Sequence, residues 1–188
     1  GFCAVNFELY PAGSPAEKLL EAVERISGRP RQQQVMTQSH LVEWTGDYED
    51  YIASLGSKTR RNVRSYSRHF LEASDAHRLQ VAEASGDMLE LVEAIREQKR
   101  RRFIEMGQLS NFDHDCFLDV LKDLAPNAQD SGNALGLMAR IGERIIGTQL
   151  VFLDEHGHFF SYNSSFDSDY KDLRIHYLLE SQRVRLAL

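Results

Sequence analysis

The sequence predicts an α+β fold, an antiparallel-rich sheet flanked by helices. Three strand-like runs, 134–141, 144–153 and 158–166, fill much of the last third. Only Gly142-Glu143 and residues 154–157 separate them, which suits a meander of antiparallel hairpins. Ahead of them lie several helical patterns with their own start and stop signals. A further helical pattern follows the third run, from about Arg174 to the end, across a short loop at 167–173.

Bulk properties narrow the class. At 188 residues, 42% hydrophobic and 27% charged, the chain can bury a core without disulfide or metal staples. A formal net charge of −6 sets the surface as a whole against nucleic acid and anionic membrane, so phosphate binding is confined to local patches. Cys3 and Cys116 are far apart and fit neither a disulfide framework nor a metal site, which points to a reducing cytoplasm. No apolar run approaches the roughly 18 residues of a membrane span, and no basic stretch followed by an apolar one marks a signal peptide. A soluble, cytoplasmic chain is expected. The histidines form no ligand set: His156-Gly157-His158 is a turn, and His114, Asp115 and Cys116 face different directions on one helical turn.

Taken in order, residues 2–10 alternate as a strand. Ser14-Pro15-Ala16-Glu17 starts a helix as cap, first helical residue and capping-box acid, and Gly28 ends it. A polar linker at 29–34 leads to a strand from about Val35 to Trp44. Tyr48 to Leu55 is a short acidic helix, and Gly56-Ser57 opens the next. Over 57–71 that helix carries Lys58, Arg60, Arg61, Arg64 and Arg68 with no acid. Arg60, Arg61, Arg64 and Arg68 share one side and Val63, Tyr66 and Phe70 the other, giving a wholly basic exposed face. A strand near Arg78–Glu83 precedes a helix from Asp87 to about Met106, opened by the box Asp87–Glu90. Lys99-Arg100-Arg101-Arg102 complements the dipole near its end. Phe112, Asp113 and Phe117 read as staple, cap and staple partner of a third helix. Pro126 stops that helix, and 126–133 follows as an exposed loop.

Tyr48 to Arg64, an acidic short helix, a Leu55-Gly56-Ser57-Lys58 turn and an Arg-rich helix, resembles the opening of the CelD-like family of GNAT acyltransferases. Gly147-Thr148-Gln149-Leu150 to Tyr162, then Tyr170 to Ala187, resembles that family's strand–strand–loop–helix ending. The layout is similar to the second half of FemAB-type aminoacyltransferases, which are built from two GNAT-like halves. The resemblance covers roughly residues 35–188. It implies a GNAT-like core at 47–188 and, at 1–46, a strand–helix–strand lead-in that ends a preceding GNAT-like half. Both ends read as cuts: the chain starts at Gly1, and Leu186-Ala187-Leu188 falls inside a helical pattern without a terminator.

The activity implied is N-acyl transfer from acyl-CoA to an amine of a small molecule or cell-envelope precursor. The alternatives are FemAB-type transfer from aminoacyl-tRNA and a non-catalytic GNAT-like binding module. In GNAT proteins acyl-CoA lies where the third strand of the meander splays from its neighbour. Backbone amides of the following loop, at a helix N-terminus, hold the pyrophosphate. Here the resemblance places that site on Phe166, Lys171, Arg174, Ile175 and His176. The stretch Phe166–Tyr177 contains no glycine to permit close approach. Asp167, Asp169 and Asp172 oppose a pyrophosphate, and Lys171, Arg174 and His176 offset them in part. Tyr162, Ser164 and Asp167, along and after the third strand, are the catalytic candidates, and each is equally a strand residue on the wet face. The Arg60, Arg61, Arg64 and Arg68 face is either a solvated helix side or a substrate surface for phosphate, a glycan acid or tRNA.

Overall fold

The computed structural model describes residues 42–108, 112, 115–154 and 158–188, with Glu21, Glu24, Arg25 and Gly28 before them. The chain divides into Gly1–Glu43 and Trp44–Leu188. In the first unit Glu21, Glu24 and Arg25 are helical. Gly28, at φ +65, donates its amide to the Glu24 carbonyl at 2.9 Å, as a helix-ending glycine does. The strand expected over 2–10, the helix start at Ser14 and most of the strand from Val35 lie outside the described residues. Val42–Trp44, at the end of that expected strand, are irregular.

The second unit opens with helix α1, Tyr48–Ser54, where Asp47 caps the first turn by accepting from the Asp50 amide at 2.9 Å. Helix α2, Ser57–Glu72, buries Val63 and Phe70. Strand β1 is His77–Val81. Helix α3, Ser85–Glu105, starts half a turn before the sequence suggests. Asp87 is its third residue rather than its cap, and its carboxylate reaches back to the Glu83 and Ala84 amides at 3.1 and 3.3 Å. A carboxylate at that position satisfies orphan amides from inside the helix.

Helix α4, Asp115–Asp130, corrects the expected stop, because Pro126 lies inside it and residues 126–130 are helical rather than looped. Proline removes one backbone bond, but the turn beyond it is held by its own contacts. Ala125 is fully buried, and Asn127 Nδ2 donates to the Asp123 carbonyl at 2.8 Å. The helix ends instead at Gly132, φ +73. Phe112 and Phe117 do meet, edge to face at 5.2 Å.

Strands β2 (Ala134–Ile141), β3 (Arg144–Leu153) and β4 (Phe159–Phe166) form the expected antiparallel meander, and β1 adds a fourth antiparallel strand beside β2. A 3₁₀ turn, Ser168–Leu173, links β4 to helix α5, Ile175–Ala187. The alternation of Leu135, Leu137, Ala139 and Ile141 suggests one buried face, yet both faces are covered. Leu137 and Ala139 pack with Phe70 of α2 and Ile175, Leu178 and Leu179 of α5. Met138 packs on the other side with Leu91, Val92 and Ile95 of α3 and Leu121 of α4. The alternation divides residues between two cores. Gly147 on β3 lets α5 approach closely: a Cβ there would stand 2.4 Å from Ile175 Cγ2.

Candidate active site: the junction of β4 and α5

Two bulges shape the sheet where β4 feeds α5. In β3 the register slips beside Ile146, so Gly147 faces Ala139 while Ile145 faces Arg140. The Ile145 carbonyl accepts instead from Gln98 Nε2 of α3 at 3.1 Å. Gln98 Oε1 accepts from Ser165 Oγ at 2.7 Å and Thr148 Oγ1 at 3.3 Å, and those two hydroxyls lie 2.6 Å apart. This buried triangle ties α3 to β3 and β4. In β4 the register slips around Tyr162, so Asn163 faces Leu150 while Ser161 faces Val151. Bulges re-aim side chains and recur beside active sites.

Tyr162 is therefore the bulged residue of β4. It is exposed, with its ring edge-on to Phe152 at 5.3 Å, and partial burial raises its phenol above the ordinary range. Ser164, two residues on, is exposed. Asp167 stands apart from both. It is 6% exposed and accepts from Arg101 at 3.2 Å, Arg144 at 2.5 Å and the Asp169 amide at 3.1 Å. Asp169 in turn takes Arg101 at 2.7 and 3.0 Å. Hydrogen bonding from Arg101 is the chief cause holding the Asp169 carboxyl below its usual range. Asp167 is thus an anchor with its oxygens occupied. A cleft of about 280 Å³ adjoins this clamp, with Glu97, Gln98, Arg144 and Ser168 in its lining.

The clamp changes the electrostatics of the loop. Two of the three aspartates that oppose a pyrophosphate are neutralised by Arg101 and Arg144. Asp172, Lys171 and Arg174 remain exposed. Arg174, at the junction with α5, takes φ +52, the one positive φ among described non-glycine residues. Glycine adopts that left-handed conformation freely, whereas a side chain costs about 1–2 kcal/mol there. The amides of Ile175 and His176 follow it in the first helical turn, where no intrahelical acceptor exists. The Ile175 side chain, by contrast, is 3% exposed and belongs to the core, so only its backbone can serve a ligand. Phe166 is partly buried beneath Arg102, whose guanidinium lies 5.5 Å from the ring centre.

His176 is exposed, yet burial of its ring and then the nearby Arg174 lower its pKa from 6.5. It is neutral at pH 7 and adds no full charge to the loop. Because the folded value lies below the unfolded one, its contribution to stability is present above pH 6.5 and is lost as pH falls through the folded value. The imidazole should titrate below 6.5 in an NMR pH series, and a titration at or above that value would contradict this environment.

The basic face of α2 is less uniform than the sequence suggests. Arg60 is partly buried and closes α1, donating to the Ala53 carbonyl at 2.5 Å. Arg64 pairs with Glu49 of α1 at 3.1 Å, so an acid does balance part of that face. Arg61 and Arg68 are exposed and have no ion-pair partner among the described residues. The structure therefore gives Arg60 and Arg64 partners on α1 and leaves Arg61 and Arg68 exposed.

Sequence reasoning missed the Gln98–Thr148–Ser165 triangle and the Arg101–Arg144 clamp. The signals were present: Gln98 continues the apolar stripe of Leu91 and Ile95, and Thr148-Gln149 interrupt the apolar run of β3. Among the described residues no group of His, Cys, Asp and Glu could hold a metal ion. No described helix is long and apolar enough to cross a membrane.

An antiparallel meander whose last strand feeds a helix through a tight turn, with helices over both faces, defines an open-sheet α+β domain. The chain belongs to the GNAT acetyltransferase family: the family profile described as "Acetyltransferase (GNAT) domain" matches residues 57–187. The fold is similar to that of a crystal structure described as a conserved protein of unknown function from Bacteroides thetaiotaomicron VPI-5482. The two share 11% sequence identity at a TM-score of 0.52, over 74% of this chain. This chain spans 45% of that protein's length. No curated protein sequence matches significantly.

Proposed function

We propose that the domain is an N-acyltransferase that takes an acyl group from acyl-CoA and delivers it to an amine of a small molecule or envelope precursor. The observation that carries this reading is Arg174 at φ +52, at the start of α5. The loop lacks glycine yet adopts the backbone that glycine usually provides. A side chain held in such a conformation is strained, and strain persists where the surroundings enforce it, often for function. The opening amides of α5 and its dipole favour an anion there. Lys171 and Arg174 supply cations, and the clamp holds Asp167 and Asp169 to Arg101 and Arg144. These groups fit a pyrophosphate.

Acyl-CoA supplies an activated thioester. In the transfer a carbon–nitrogen bond forms, the acyl carbon–sulfur bond breaks, and CoA leaves as its free thiol, its sulfur taking up the proton that the attacking amine gives up. This chain's part is to fix the donor through α5 and to present β4 beside it. Tyr162 and Ser164, exposed on β4 along with Ser161, are the polar side chains that can bind or orient the acceptor. With its phenol pKa raised, Tyr162 is protonated at neutral pH and acts as a hydrogen-bond donor rather than a base.

Calorimetric titration with acetyl-CoA should give micromolar or tighter binding. Arg174→Ala should weaken it about tenfold, as expected for a lost charged hydrogen bond of about 1.5 kcal/mol. Arg174→Gly should weaken it similarly while leaving the protein at least as stable as Arg174→Ala, since glycine accepts φ +52 without strain. If folded wild-type protein binds neither acetyl-CoA nor longer acyl-CoAs, the donor is not CoA. Aminoacyl-tRNA transfer or a binding role would then take precedence.

A further inference from the structure

We propose that the cleft between α1, α2 and the C-terminal half of α5 binds a compact oxyanion, a phosphate or a carboxylate, at a second site independent of the donor loop. The cleft is about 190 Å³, larger than a bare phosphate, and Arg64, Arg185, Tyr48, Ser67 and Ser181 contribute to its lining. It lies near Arg185, ten residues along α5 from the residue that begins the helix. At 1.5 Å per residue that is about 15 Å from the amides proposed to hold the pyrophosphate. Helix α1 lies outside the residues that match the GNAT family, so this cleft is partly built from additional structure.

Three features give the cleft its chemistry. It holds two guanidiniums, from Arg64 and Arg185, against a single carboxylate, Glu49. Arg185 lies 4.4 Å from the centre of the Tyr48 ring, and the Tyr48 hydroxyl is hydrogen bonded to Ser181 Oγ. This guanidinium is held over an aromatic face, which leaves its edge donors for a planar or tetrahedral oxyanion. The Arg64–Glu49 pair has both side chains mostly exposed, 59% and 67%, and such a pair is weak enough to yield to a better anion.

The third feature is Ser67, one helical turn beyond Val63. Its hydroxyl is shut off from solvent and has no hydrogen-bond partner. An unsatisfied shielded hydroxyl calls for a ligand or a water. Turned into the cleft by a change of its χ1 rotamer, the Ser67 hydroxyl can donate to an anion drawn between the two arginines. Arg61 and Arg68, one turn to either side of Arg64 on the same helix, raise the local potential and steer anions toward it.

The test uses the whole chain with inorganic phosphate and with acetate as separate probes, at constant ionic strength held with chloride. NMR or calorimetry should show saturable binding of at least one probe in the millimolar range or tighter, and the tighter probe identifies the oxyanion class. Arg185→Gln should weaken that probe at least tenfold, and Glu49→Gln, which frees Arg64 and removes a repelling charge, should tighten it severalfold. Glu72→Gln makes the same charge change at the far end of α2 and should leave affinity unchanged. A melt of each variant establishes that it is folded, and Arg185→Met, which keeps the length over Tyr48, replaces Arg185→Gln if that variant unfolds. Non-saturable binding of both probes, or equal responses to Glu49→Gln and Glu72→Gln, overturns the proposal. Because no CoA is added, the outcome is separate from that of the donor titration.

Discussion

Replacing Gly147 by alanine should destabilise the domain by about 1–3 kcal/mol, the cost of forcing a methyl group into a packed core. The melting temperature should fall by roughly 3–10 °C. The added Cβ would stand 2.4 Å from Ile175 Cγ2 and 3.4 Å from Leu179 Cδ1, both on α5. Ile175 is 3% exposed and β-branched, so it has no free rotamer to retreat into. The helix must move away from the sheet, and its first turn moves with it. Acetyl-CoA affinity should therefore fall together with stability in this one variant. A double-mutant cycle isolates the cause: Ile175→Ala removes the colliding methyl, so the double variant should be more stable than the two single losses predict. Strict additivity would mean that the clash is absorbed elsewhere and that α5 is not positioned by Gly147.

Local chemistry made the meander legible. Gly142 takes φ +59 in the two-residue connection, so β2 and β3 begin and end where the sequence places them. Only β4 differs, starting at Phe159 rather than His158. What depends on distant partners was not legible. Strand β1 could be expected as a strand, but its pairing with β2 joins residues about sixty apart. Pro126 is a stop signal on its own, and tertiary packing of Ala125 carries the helix through it. Likewise the sequence shows Asp167, Asp169 and Asp172 as a run of acids, whereas the folded loop meets Arg101 from α3 and Arg144 from β3. Arginine has no local preference for φ +52. Arg174 adopts it because β4 and α5 fix both ends of the turn. Functional geometry here is set by long-range packing, and a single sequence reports that least well.

Asp167→Ala should cost about 2–3 kcal/mol, within the range for removing one partner of buried, charge-assisted hydrogen bonds. The carboxylate is 8% exposed, while its partners Arg101 and Arg144 are 44% and 53% exposed. The freed guanidiniums can therefore reach water, which keeps the loss below that of a fully buried pair. Asp167→Asn should cost less, because its oxygen can still accept from the Asp169 amide at the start of the 3₁₀ turn. The pH dependence adds a check. The Asp169 carboxyl is held below its ordinary value of 3.8, first by its hydrogen bond from Arg101. Its stabilising contribution is therefore complete above that value and is lost as pH falls through the folded one. Wild type should lose stability on acidification through this range, and an Asp169→Asn variant should lose less. If Asp167→Ala instead melts like wild type while abolishing transfer to an amine acceptor, Asp167 touches the reacting groups. Its place in the clamp would then be incidental. The geometry argues for the opposite result: a less stable protein, with donor affinity reduced because the turn that leads into α5 has lost its anchor.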